Sequence, residues 1–483
     1  MIIIKKLFYF LTLKNSSESM YKRNQHFHFV GIGGIGMSAI AQLLIAQGHT
    51  VSGCDNNITQ QTIIALIKQG CSIVTSAQTH HCHLKTVTTV IYSTAVKKNN
   101  PDLIYAQKHN ITTIHRSFML AELMRTKYGI AITGSHGKTT TSSLIAHVLL
   151  TAQMDPSIVV GGVMHNIASN AHLGTGDFFV AEADESDRSL LMLRPTIGII
   201  TSIDLEHLET YHNLFDIMHT YKQFFDNLPF YGTAIICYEN PELRALLPLK
   251  DTTAYTYGLS HKADFYAQDI HHFPDHSTYT VWKKNQCLGS ITIAMPGIHN
   301  VLNSLAALTV ADELDIPFTT IQTALSTFKG VDRRFTFKGY HKQIAIYDDY
   351  GHHPLEIKHT IETARRKNTG KLGMLFQPHR YTRTQKLWAE FVDVLAYAHL
   401  DYLIITDIYE ASEEPIENIT SSLLVQAIKE KNPSLAIFYT PLSKNYCELK
   451  AQLEPFSQSA GLLILQGAGK VNALATDLIE KQA

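Results

Sequence analysis

No apolar run in the chain approaches the roughly 18–20 residues that a membrane-spanning helix needs, so a helical membrane protein is excluded and no membrane partner is expected. Nor is there an excess of positive charge: 41 Lys and Arg stand against 42 Asp and Glu, a formal net charge of −1. Nucleic acid is therefore not an expected partner, and a small anionic substrate would need only a local basic cluster. Repeats and low-complexity tracts are absent. The six cysteines, Cys54, Cys71, Cys82, Cys237, Cys287 and Cys447, lie far apart with no CxxC pair, which argues against a zinc knuckle and fits reduced thiols in the cytoplasm. A signal peptide is lacking too. Ile2–Leu13 is mostly apolar, but Lys5 and Lys6 interrupt it, Lys14–Ser19 is polar, and no small-residue cleavage site follows. Residues 1–19 read as a disordered extension or as a start placed too early, with Met20 the true beginning.

What is present is the composition of an ordinary globular protein, 45% apolar and 17% charged. A chain of 483 residues exceeds what one hydrophobic core can serve, so two or three domains are expected. Short apolar strands alternate with helical stretches: His26–Ile32, Thr50–Cys54 and Thr88–Ser93 as strands, with Met37–Gln47 as a helix. A second run places strands at Gly129–Thr133, Asp177–Ala181 and Thr196–Ser202 and a helix at Thr139–Thr151, with a hairpin-like polar insert over 250–292 interrupting it. A third places strands near Ala345–Tyr347, Gly373–Phe376, Tyr402–Thr406 and Gly461–Gln466. This βαβ alternation predicts parallel sheets and an α/β protein of three domains, 20–126, 127–334 and 335–483. The 26 histidines are numerous. Those at His80, His81 and His83 beside Cys82, and His271, His272 and His276 around Pro274 and Asp275, read as solvated loops, because adjacent loop side chains rarely converge on one ion.

Two glycine loops carry the chemistry. Gly31-Ile32-Gly33-Gly34-Ile35-Gly36 follows a strand and opens a helix, with Asp55 about twenty residues on. Small residues let backbone N–H groups and a helix N-terminus approach a pyrophosphate. Taken alone the loop would suggest a nicotinamide dehydrogenase, but UDP carries the same diphosphate. Gly134-Ser135-His136-Gly137-Lys138-Thr139-Thr140-Thr141 also joins a strand to a helix. Lys138 can reach terminal phosphates and Thr139 can ligate Mg²⁺ while backbone donors cradle oxygens. Ile132 stands where the common P-loop pattern has its first glycine, so this loop is a shorter variant. A dehydrogenase leaves it unexplained.

The loop TGSHGKTT is followed by AEADESD (Ala181–Asp187), IDLEHLETY (Ile203–Tyr211), PGIHNVLNSLAA (Pro296–Ala307), VDRRF (Val331–Phe335), DDYGHHP (Asp348–Pro354), FQPHRYTRT (Phe376–Thr384) and QGAGKV (Gln466–Val471). In this order and spacing, over about residues 26–475, the chain resembles the Mur ligase family. HFVGIGGIGMS, EADESD, DDYGHHP and FQPHRYTR are most similar to the branch acting on muramate and alanine.

The resemblance implies a Rossmann-like UDP-binding domain, a central P-loop-type ATP-binding domain and a C-terminal Rossmann-like domain that closes over the site. It implies ATP-dependent joining of L-alanine to the lactyl carboxylate of UDP-N-acetylmuramate through an acyl phosphate, with ATP and Mg²⁺ as cofactors. Gly33, Gly34, Gly36 and Asp55 would then serve the UDP-sugar. Gly134, Ser135, His136, Gly137, Lys138, Thr139 and Thr140 would serve ATP, with His299, Asn300 and Asn303 toward adenine, Arg334 toward the phosphates and Asp349 toward ribose. Thr139, Glu182 and His207 would hold metal. Tyr350, His352, His379, Arg380 and Arg383 would form the substrate end, where a guanidinium can hold a carboxylate with two parallel bonds. Lys138, Glu182, His207 and Arg380 would be the catalytic set. Read without the family, Asn300 is a helix cap, Arg333 and Arg334 a surface pair of which one acts, and Lys222 a solvated helix lysine. A ligase that recycles murein tripeptide is the alternative within the family. The oligomeric state is not legible.

Overall fold

The computed structural model describes residues 24–75, 84–207, 210–250, 252–411, 413–443 and 446–479. The N-terminal extension and the His80–His83 stretch lie outside the described residues. The chain is α/β, with three sheets. It forms two compact units, one of residues up to 126 with 157–159 and 171–175, the other of 127–156, 160–170 and 176–483.

The first sheet is β1 (His26–Val30), β2 (Thr50–Asp55), β3 (Ser72–Thr75), β4 (Thr89–Tyr92) and β5 (Thr112–His115), ordered β3-β2-β1-β4-β5. Every pairing is parallel. In β1, His-Phe-His-Phe-Val, Phe27, His28, Phe29 and Val30 are all buried, so the strand is covered on both faces, and His28 meets Ser52 Oγ at 2.9 Å. Strand order reverses between β1 and β4, and the first glycine loop leaves β1 there, where such sheets place ligands.

The second sheet comprises β6 (Tyr128–Thr133), β7 (Ser157–Met164), β8 (Ser169–His172), β9 (Phe178–Glu182), β10 (Ile197–Ile200), β11 (Thr233–Cys237), β12 (Thr253–Gly258), β13 (Phe265–His272), β14 (Ser277–Lys283) and β15 (Gln286–Ile293). Its order is β15-β14-β13-β12-β11-β10-β6-β9-β7-β8. The segment expected as an interrupting insert does not interrupt: β12 and β13 continue the parallel sheet, and β14 and β15 extend it as antiparallel strands. The reason is alternation. Tyr279 and Val281 of β14 and Ile291 and Ile293 of β15 point inward and are buried, while the polar residues between them face out. The Tyr279 hydroxyl meets Ser304 Oγ at 2.7 Å on the helix Ile298–Glu313. His271 and His272, expected in a loop, end β13, and residues 273–276 turn the chain into β14; His272 Nδ1 pairs with Ser277 Oγ and His276 with Asp275. No helix of the described residues is long and apolar enough to cross a membrane.

The third sheet comprises β16 (Thr336–His341), β17 (Ile344–Asp349), β18 (Lys371–Phe376), β19 (Tyr402–Ile405), β20 (Ala436–Tyr439) and β21 (Gly461–Gln466), ordered β16-β17-β21-β18-β19-β20. Only the β16–β17 hairpin is antiparallel. The topology explains why distant motifs meet. The loops after β9, β6 and β10, three neighbours, carry the EADESD, SHGKTT and SIDLEH segments. Those after β17, β21 and β18, again neighbours, carry YGHHP, GAGK and QPHRYTR.

Candidate functional site

In the first unit the helix Ile35–Ala46 starts directly after Gly34, with no side-chain cap at that glycine, which brings the loop to a helix N-terminus. Asp55 holds the loop's backbone: its Oδ2 accepts the Gly33 N–H at 2.9 Å and its Oδ1 that of Asn57 at 3.0 Å. It shapes the loop. A Cβ at Gly33 would lie 2.9 Å from that same carboxylate, and one at Gly36 would lie 3.0 Å from Arg116 Nη1, which puts a cation beside the loop.

The second loop turns into its helix at Gly137, whose φ of 80° is a left-handed conformation that glycine adopts without strain. Lys138 Nζ donates to Gly134 O at 2.5 Å and Ser135 O at 3.2 Å, and meets Glu185 Oε1 at 2.7 Å. Desolvation disfavours its charge, but Glu185 and Glu182 outweigh that and hold its pKa above the usual lysine range. The Thr139 hydroxyl donates to Glu182 Oε2 at 2.9 Å, and Gly161 N–H donates to the same oxygen at 2.9 Å. Desolvation nevertheless pushes the Glu182 carboxyl above its ordinary pKa, against the pull of Lys138 and Thr139. His207 does not join Glu182. Its Nε2 lies 3.4 Å from Glu185 Oε1 and 3.8 Å from Glu206 Oε2, and these three residues offer converging ligand atoms. Glu185 Oε2 is buried with no hydrogen-bond partner among the described residues.

Beside the loop lies a cavity of about 770 Å³ lined by His136, Thr140, His299, Asn300, Asn303 and Arg334, among others. That is ample for a nucleotide. Asn300 is not a helix cap: the helix begins at Ile298 after Gly297, and Asn300 Nδ2 donates back to Pro296 O at 2.8 Å. Asn303 accepts from Thr141 Oγ1 at 3.1 Å, tying the helix Ile298–Glu313, expected on the adenine side, to the helix Lys138–Thr151 that follows the second glycine loop. The two arginines divide. Arg334 Nη2 reaches Thr139 Oγ1 at 3.4 Å, whereas Arg333 turns to Gly467 O at 2.6 Å and Asp348. Asp349 lines the cavity but its oxygens are engaged by Phe335 N, Gly351 N, Thr360 Oγ1 and Gln466 Nε2.

The substrate-end residues cluster. The ring of His352 lies 5.5 Å from that of Tyr350 and 5.3 Å from that of His379, and Arg383 Nη1 donates to His379 Nδ1 at 3.1 Å. Desolvation, then Arg383, lower the pKa of both histidines, His379 to about 3. Arg380 lies 3.5 Å from Glu413 and lines a small cleft with Arg383, Glu206 and His207. Lys222 stands apart, on an exposed helix face, paired with Asp226 at 3.1 Å.

Family models match almost the whole of this architecture: the Mur ligase family catalytic domain over residues 26–128, the Mur ligase middle domain over 132–311 and the Mur ligase glutamate ligase domain over 333–455. The UDP-N-acetylmuramate–L-alanine ligase of Syntrophus aciditrophicus is 42% identical over 466 residues, 96% of this chain and 95% of its own. The chain belongs to the Mur ligase family. The UDP-N-acetylmuramate–L-alanine ligase of Geotalea uraniireducens is 43% identical over 462 residues, 96% of this Mur ligase and 99% of its own length. The crystal structure of UDP-N-acetylmuramate–alanine ligase from Thermotoga maritima matches with a TM-score of 0.79 and 25% identity, over 94% of this chain and 98% of that one.

Sequence reading of this Mur ligase missed Glu185, Glu206, Arg116 and Glu356. Glu185 was within reach, since it is the second glutamate of the EADESD run. Glu356 meets His136 from 220 residues away, which no local pattern announces.

Proposed function

We propose that the chain is an ATP-dependent ligase that joins L-alanine to UDP-N-acetylmuramate in peptidoglycan synthesis. The observation that carries the chemistry is a chain of contacts. Lys138 and His207 meet the same oxygen of Glu185, at 2.7 and 3.4 Å, and His207 opens on the cleft lined by Arg380 and Arg383. A phosphate end and a carboxylate end are thereby joined through one acid. The identities of 42–43% to relatives named for this reaction support the choice of substrates.

In this reading the first glycine loop and Arg116 hold the UDP diphosphate, and the 770 Å³ cavity holds ATP. Mg²⁺ fits the donors present. A carboxyl whose pKa desolvation has raised, Glu182 beside Thr139, and a buried carboxylate oxygen without a partner, on Glu185, both gain from a hard cation. Thr139 and Glu182 would hold one ion, and His207 with Glu185 and Glu206 another. Bound there, Mg²⁺ offsets the repulsion between the phosphates and the carboxylate. Lys138 leaves Glu185 for the terminal phosphate. The lactyl carboxylate oxygen attacks the γ-phosphorus and ADP departs. Arg380 and Arg383 orient the acyl group or the alanine carboxylate. The alanine amine then attacks the acyl carbon, loses a proton, and phosphate leaves with the carboxylate oxygen. The domains divide at 126/127 and 334/335, and the five described cysteines, none in a disulfide, suit a reducing cytoplasm.

UDP-N-acetylmuramate labelled with ¹⁸O in the lactyl carboxylate tests the mechanism. Label in the released phosphate is expected; unlabelled phosphate formed with product would contradict it.

A further inference from the structure

The helix Pro354–Lys367 and its cap present His353, Glu356 and His359 at intervals of three residues, hence on one face. Each meets the region around the phosphate loop or the adenine-side helix. Glu356 Oε1 meets His136 Nδ1 at 3.3 Å, and the other ring nitrogen of His136 meets Asp204 Oδ2 at 3.4 Å. The ring of His353 lies 5.0 Å from that of His136, with its Nε2 3.8 Å from Asp204 and 3.9 Å from Glu206. The ring of His359 lies 5.1 Å from that of His299. The other oxygen of Glu356, Oε2, accepts the backbone N–H groups of His352 and His353, at 2.9 and 3.2 Å. One carboxylate therefore holds the phosphate loop with one oxygen and, with the other, the turn that carries Tyr350 and His352.

We propose that Asp204, His136 and Glu356 form a charged bridge whose function is positional: it makes seating of the phosphate loop and seating of the Tyr350–His352 substrate loop a single event. None of the three is a catalytic residue in this assignment. The bridge stands on geometry: both ring nitrogens of His136 face carboxylate oxygens, Glu356 Oε1 at 3.3 Å and Asp204 Oδ2 at 3.4 Å, and the two acids come from different segments. Glu356 is held well below the usual carboxylate range: desolvation opposes its charge, and His136, His352 and Arg334 overcome it. A charged pair with this separation in sequence carries more than a local cap needs, since the capping of the helix Pro354–Lys367 uses Oε2 alone.

The inference rests on the ligase reading for its substrate end, and the test separates the two. His136→Gln, Glu356→Gln and the double variant are compared in a double-mutant cycle, with ADP affinity by calorimetry and steady-state constants for each substrate. Glutamine at 356 keeps an oxygen to cap the helix while removing the charge. The bridge predicts crossed effects. Glu356→Gln weakens ADP about tenfold, His136→Gln raises KM for alanine about tenfold, and the double variant is no worse than the worse single one, at a coupling of about 1.4 kcal/mol. Effects confined to each residue's own end, or effects that multiply, overturn the bridge. Should Glu356→Gln fail to fold, Glu356→Asp, which keeps the charge but shortens the reach to His136, replaces it in the cycle with the same expectation for ADP. Calorimetry with ADP needs no acceptor, so absence of alanine-dependent turnover in the unaltered enzyme would remove the ligase reading while leaving the ADP coupling to decide the bridge.

Discussion

The two glycine loops begin alike. Each leaves the end of a parallel strand in the interior of a sheet and opens a helix. They differ in what holds them. Gly33 is fixed by Asp55, an acid that holds the loop's own backbone, and a cation beside the loop, Arg116, comes from another helix. The second loop carries its own cation, Lys138, held by Glu185, and its own hydroxyl, Thr139, held by Glu182. In the proposed reading one loop cradles a diphosphate that does not react. The other has movable charge and paired acids, the parts that a transferring phosphoryl group needs. A glycine fingerprint reports close backbone approach to phosphate; the chemistry is in the side chains that follow.

The comparison breaks most sharply at Lys138. Lys138→Ala should lower turnover by about 10²–10³ or more and leave UDP-N-acetylmuramate affinity unchanged by calorimetry; near-normal turnover at saturating ATP would refute the assignment. Arg380→Lys should come next. Loss of the two-bonded fork misplaces the acyl group or alanine and lowers kcat about 100-fold, with little change in apparent ATP affinity. If instead the pairing of Arg380 with Glu413 is all the residue does, the swap should cost less than about 1 kcal/mol.

At the first loop, Gly33→Ala forces a Cβ to 2.9 Å from the Asp55 carboxylate. Overpacking of this kind costs about 1–3 kcal/mol, so UDP-N-acetylmuramate should bind about tenfold more weakly while KM for ATP holds. Titration with NAD should give no binding to the unaltered protein; NAD displaced by the sugar nucleotide would return the loop to the dehydrogenase reading.

The smallest effect concerns pH. His299 has its pKa lowered to about 3, by desolvation first and then by His359 and Arg366. A depressed group contributes stability that is present above its unfolded pKa of about 6.5 and lost as pH falls toward the folded value. His299→Gln should therefore flatten part of the fall in unfolding midpoint between about pH 6.5 and 3, and an unchanged slope would show that His299 is not held neutral.

How much of this was legible follows from range. The strands that read clearly, such as Thr196–Ser202 for Ile197–Ile200, are short buried apolar runs whose burial on both faces leaves no ambiguity. The edge strands β16 and β20 did not: neither is fully buried, Lys338 and Gly339 interrupt the first, and the Ala-Ile-Phe-Tyr signal of the second spans only four residues. The segment over 250–292 looked like an insert because its alternating pattern differs from the buried parallel strands before it, yet the same pattern suits a sheet edge with one wet face. At the site, residues on one motif were readable. Contacts between motifs were not. That Arg334 and not Arg333 faces Thr139, and that His207 pairs with Glu185 and not Glu182, depend on rotamers and on which strands are neighbours.

The central question for this enzyme is whether its active site joins a single amino acid, L-alanine, to the muramyl carboxylate. The most direct measurement is ADP release with UDP-N-acetylmuramate and ATP, comparing L-alanine with the murein tripeptide as acceptor. ADP release should depend on L-alanine and yield the alanyl product, with little from the tripeptide. Preferential use of the tripeptide, or ADP release indifferent to the acceptor, would contradict it.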